Sequence, residues 1–138
     1  MNRRAITNFC AIPAALFLVV IGMLHTIVNV RGLRRAIARG EIAARLGDSV
    51  IVNAAFTGVA ITLLGVLVLL VLPGLRAGNR QAARLATAVG ILASLVGVAG
   101  YLWVPTRPSV LIFLFFGALL AAPLLIWRRE FSNTWEGH

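Results

Sequence analysis

Seven residues of this chain pair a polar or reactive side chain with a spacing that can gather them: His25, Asn29, Asn53, Thr57, Tyr101, Trp103 and Arg107. His25 and Asn29 are four apart, as are Asn53 and Thr57, so on helices each pair shares a face. An imidazole beside carboxamides, a hydroxyl and a phenol suits the polar end of a hydrophobic molecule such as a lipid, quinone or isoprenoid. With His25 as general acid or base, and Tyr101 or the asparagines as orienting donors, the same set can also act on such a molecule. A plainer account competes with the site. The same groups can simply hydrogen-bond across a helical bundle, worth about 0.6 kcal/mol each.

Other chemistries find less support. The second histidine, His138, is the last residue and is expected at the opposite face, so His25 stands without the three or four ligands of a typical metal site. No metal and no cofactor is expected, with haem ligated through His25 as the remaining option. Cys10 is the single cysteine, which excludes an internal disulfide and any thiolate cluster. Ser49, Ser94, Ser109 and Ser132 have no positioned base. No catalytic residue is assigned, and the balance leans away from an enzyme.

The elements that must position these residues are four apolar stretches, residues 9–30, 50–72, 85–104 and 109–127, without a charged residue among them. Each approaches the ~20 residues that cross a bilayer as a helix. Where no water is present the backbone must satisfy its own hydrogen bonds, which favours spanning helices. The expected fold is an all-α integral membrane protein, an antiparallel four-transmembrane-helix bundle forming a single domain over residues 1–138. Helix 1 is expected to start near Thr7 or Asn8, with Pro13 in its first turn or so. Residues 31–47 read as a short interfacial helix weakened by Gly40. Pro73-Gly74 should stop helix 2, and Pro105 should end helix 3. Pro123 should kink helix 4. Trp127 and Trp135 fit the headgroup level.

Composition agrees: the chain is 60% hydrophobic, with a mean hydropathy of +0.95. All thirteen basic residues are arginine, as GC-rich bacterial coding produces. Each lies beside an apolar stretch, so the net charge of +9 points to anionic lipid headgroups and not to nucleic acid. Arg3, Arg4, Arg76, Arg80, Arg84, Arg128 and Arg129 would share one side. Arg31, Arg34, Arg35, Arg39, Arg45 and Arg107 would share the other. Seven against six votes narrowly for cytoplasmic termini. The expected location is the bacterial cytoplasmic (inner) membrane, multi-pass, with the first helix uncleaved.

Small residues recur on the helices: Ala86, Gly90, Ser94, Gly97 and Gly100 in the third, Gly58 and Gly65 in the second. Such spacing lets helix backbones approach closely. Gly22-Met23-Leu24-His25-Thr26 supplies a Gly-x-x-His-Thr motif near the end of the first span. Together with the glycine-bearing second span and the proline closing the third, it resembles a family of small bacterial four-helix membrane proteins without an assigned activity. The resemblance implies the fold and points to His25. The function expected from all this is an accessory subunit or self-assembling membrane component acting through helix packing, with a membrane-protein partner or further copies of itself. The alternative is a binding protein, transporter or enzyme for a hydrophobic molecule held near His25.

Overall fold

The protein is represented by a computed structural model that describes residues 2–103, 105–106 and 108–131. Four helices make up the described chain, with no strand among the described residues: α1 over Arg3–Ala38, then α2 over Ala44–Ala77, α3 over Arg80–Trp103 and α4 over Ile112–Ile126. Short 3₁₀ turns at Pro108–Leu111 and Arg128–Glu130 flank α4. Arg107, Ser132, Trp135 and His138 lie outside the described residues.

Several boundaries differ from expectation, each for a local reason. α1 begins at Arg3, because Asn2 caps it by accepting from the Ala5 N–H at 2.9 Å. Pro13 therefore falls well inside the helix. A π-helical turn over Thr7–Ala11 precedes it, one of the ways a helix absorbs a missing N–H. Nor does Pro73 stop α2, which continues to Ala77. Leu75, fully buried just beyond it, holds the last turn in the core. The actual stop is Gly78 at φ 83°. There the Asn79 N–H donates to the Gly74 carbonyl at 2.8 Å and the Gly78 N–H to that of Leu75 at 3.1 Å, a Schellman ending. Asn79 then caps α3, its side chain accepting from Gln81 and Ala82.

The separate interfacial helix expected over residues 31–47 does not form. Arg31 to Ala38 continue α1, a turn covers the next residues, and α2 starts at Ala44. Gly40, read from sequence as a weak helix interior, is the terminator at φ 74°. Its N–H donates to Ile37 at 2.9 Å, and the Glu41 N–H donates to Ala36 at 3.0 Å. Beside it Arg39 pairs with Glu41, with the second contact at 3.1 Å. Both side chains are more than half exposed, so the pair adds little. Gly40→Ala is expected to destabilise the protein by about 1 kcal/mol, since only the left-handed backbone and no neighbour opposes a side chain there. Unfolding in detergent measures it; an unchanged midpoint would exclude the terminator role.

The chain divides into two compact units. One takes Met1–Leu16 with Leu67–His138, and the other takes Phe17–Val66. In the first, alanines line the buried core: Ala11, Ala14 and Ala15 from α1 and Ala82, Ala83 and Ala86 from α3, together with Leu75 of α2 and Leu120 of α4. Arg3 donates to the Ala77 carbonyl at 3.1 Å, placing a cation on the negative end of α2. Arg76 donates to Asn8 at 3.2 Å. The second unit is the remainder of α1 and α2, joined by the Gly40 turn, and it buries little.

Candidate functional site

Within Phe17–Val66 the two helices cross at paired glycines. A Cβ on Gly22 would lie 2.6 Å from the Thr62 nitrogen and 2.7 Å from the Gly58 carbonyl oxygen. One on Gly58 would lie 2.7 Å from the Gly22 oxygen and 2.8 Å from the Thr26 nitrogen. Thr26 and Thr62 each donate to the glycine carbonyl one turn earlier, at 3.1 and 2.9 Å. The hydroxyls are thereby satisfied within their own helices, and the contact needs no polar partner. The Gly-x-x-His-Thr motif thus contains two residues of α1 that meet α2 at this crossing, Gly22 and Thr26.

The polar candidates distribute around it. His25 and Asn29 on α1 are half-buried, whereas Asn53 and Thr57 on α2 are exposed. Thr57 donates to the Asn53 carbonyl of its own helix at 2.9 Å. Among the described residues no hydrogen bond joins the His25–Asn29 pair to the Asn53–Thr57 pair. Tyr101 and Trp103 belong to the other unit, where Trp103 is 85% exposed and Tyr101 37% exposed. One concavity in Phe17–Val66 is an apolar groove of about 280 Å³, lined by Met23, Thr26, Ile27, Val59, Thr62 and Leu63. Among the described residues no group of three His, Cys, Asp or Glu side chains is placed to hold a metal ion.

In the first unit α3 meets α4 by the same device. A Cβ on Gly90 would lie 2.8 Å from the Gly117 oxygen, and one on Gly97 would lie 2.6 Å from the Leu114 nitrogen. Ser94 donates to the Gly90 carbonyl at 3.0 Å. Gly100 meets only the Val110 side chain, at 2.7 Å. Gly65 is buried in α2. Gly22, Thr26, Thr62 and Gly117 were missing from the sequence-read packing set. Their four-residue spacings, Gly22 to Thr26, Gly58 to Thr62 and Gly117 to Ala121, carried the signal.

A larger cavity, about 730 Å³, opens between the start of α3 and the end of α4. Arg80 and Arg84 line it from α3, and Arg128 and Arg129 from the turn after α4. Its walls are otherwise apolar apart from Thr87, which donates to the Ala83 carbonyl at 2.8 Å. Sequence reasoning assigned these arginines to one membrane face but did not see that helix packing would bring four of them around one cavity.

No protein-family profile, curated protein or solved structure matches this chain.

Proposed function

We propose that the protein is a multi-pass component of the bacterial cytoplasmic membrane, an antiparallel four-span bundle with cytoplasmic termini. In this reading it works as an accessory subunit or a self-assembling component through its outward helix faces. Three helices are long and apolar enough to cross a membrane. The fourth has 15 α-helical residues, about 22 Å of rise, and the preceding 3₁₀ turn adds about 8 Å. The sum approaches the ~30 Å hydrocarbon thickness. Ile37 beside Gly47 and Gly22 beside Gly58 support antiparallel neighbours, since residue numbers fall on one helix as they rise on the other.

One observation carries the functional reading. In the most apolar window of α2, 17% of residues are buried, and side chains such as Phe56, Val59 and Leu63 face outward. In water a patch of this extent marks an interaction surface; in a bilayer it meets lipid or another helix. Gly22, Gly58, Gly90, Gly97 and Gly117 are already engaged at crossings within their units. Large outward side chains therefore remain as the means of contact.

A second reading has its own support. The groove between α1 and α2, which His25 does not line, is close in size to the smallest ligand pockets, at ~300 Å³, and its two hydroxyls are internally satisfied. A slim apolar chain fits it better than a polar molecule. Native mass spectrometry after mild extraction separates the readings. A stoichiometric membrane-protein partner or a second copy is the expected result. A monomer retaining an apolar small molecule would instead favour the groove.

A further inference from the structure

We propose that the arginine-rimmed cavity between α3 and α4 binds a phosphate-bearing amphiphile, with its headgroup on Arg80, Arg84, Arg128 and Arg129 and its hydrocarbon chain running inward along Ile91, Leu124 and Leu125. The proposal rests on the reading of the chain as membrane-embedded. Of the arginines described in this unit, Arg3 and Arg76 donate to protein oxygens, at 3.1 and 3.2 Å. The four cavity arginines are exposed and engage no protein acceptor among the described residues. Arg80 and Arg84 are one turn apart and share a face of α3. Arg128 and Arg129 extend from the end of α4, so the positive charge comes from two directions. The four guanidinium groups make the rim strongly cationic. Guanidinium groups match phosphate by paired hydrogen bonds, and basic pockets between spanning helices are recognised headgroup sites.

The apolar part of the cavity has the right depth. From Arg84, the inner arginine of α3, to Ile91 the helix rises about 10 Å, within the depth of one leaflet of a ~30 Å hydrocarbon core. Ile91, Leu124 and Leu125 therefore line the cavity where the acyl chain of a lipid in one leaflet would pass. A free anion would use the rim and leave these walls bare. A phospholipid uses both, and about 730 Å³ accommodates a headgroup with the first part of its chain.

The test is lipid retention by the full chain, read by native mass spectrometry with phosphatidylglycerol, phosphatidylcholine or inorganic phosphate added. One phosphatidylglycerol should stay bound against excess phosphatidylcholine and should resist displacement by inorganic phosphate. The double variant Arg84→Gln/Arg128→Gln should weaken retention about tenfold or more, while Arg34→Gln/Arg35→Gln leaves it unchanged. Equal retention of the two lipids, equal loss in both double variants, or displacement by inorganic phosphate would each overturn the proposal. An alkaline carbonate wash of membranes separates the two levels. Release of the chain would remove the membrane reading itself, whereas a retained chain without phosphatidylglycerol preference removes only the lipid site.

Discussion

Gly58→Leu is expected to destabilise the protein by about 3 kcal/mol, at the upper end of what overpacking costs. Most core positions relieve an added methylene by turning a neighbouring side chain. At Gly58 the obstacles are backbone: a Cβ would sit 2.7 Å from the Gly22 oxygen and 2.8 Å from the Thr26 nitrogen. Neither can move without shifting α1, so even Gly58→Ala should be harmful. Gly22→Ala meets the same crossing from the other side, and the two changes should be coupled. Once either has separated the helices, the second should cost less than it does alone. Gly32, inside α1 with nothing within 4 Å, is the control, and Gly32→Ala should be neutral or stabilising by up to about 1 kcal/mol. Unfolding in detergent followed by circular dichroism measures the four single variants and the Gly22→Ala/Gly58→Ala double variant. A Gly58→Leu midpoint equal to that of the unsubstituted protein would show that the crossing does not hold these helices together.

The helical architecture was legible because it depends on composition over long windows, which one sequence states directly. Boundaries were less so. Pro73 looked like a stop, since proline breaks an isolated helix in water by ~3 kcal/mol. Inside the protein Leu75 is fully buried just after it, and that packing carries α2 on to Gly78. Gly40 and Gly78 are the true terminators. Their role depends on positive φ, which sequence indicates only through the adjoining residues: Asn79 caps the next helix, while Glu41 accompanies Arg39 in a turn. The interfacial helix was inferred from arginine spacing, and the same spacing suits the exposed end of a longer helix.

The polar set was less legible than the packing set for a physical reason. Small residues four apart act through backbone geometry, and their effect is fixed by the helix repeat. A histidine or asparagine acts through a partner whose position depends on how helices rotate against each other. The rotation in Phe17–Val66 is set by Gly22 and Gly58. With those faces together Asn53 and Thr57 are left exposed, and Thr57 turns back on its own helix. The arginine cavity was hidden for the related reason that it needs the ends of α3 and α4 side by side, an arrangement fixed by the Gly90 and Gly97 contacts some turns away.

Gly97→Leu should therefore have an effect as large as Gly58→Leu, about 3 kcal/mol, through α4. A Cβ at this position would lie 2.6 Å from the Leu114 nitrogen and 3.2 Å from its Cα, so relief requires moving the first turn of α4. That helix has only 15 residues, and Gly117, Leu120, Ala121 and Leu124 are the positions it buries. Displacing its start pulls Gly117 off Gly90, where the fit is also backbone against backbone. The contrast with Gly100 makes the cause testable. There an added Cβ meets the tip of the Val110 side chain at 2.7 Å, and a rotamer change can relieve that at about 1 kcal/mol. Alanine at each position removes differences in side-chain size. Gly97→Ala should lower the unfolding midpoint in detergent well below that of Gly100→Ala. If the two fall together, the α3–α4 fit is set by side-chain volume along the whole face and not by backbone approach at Gly97.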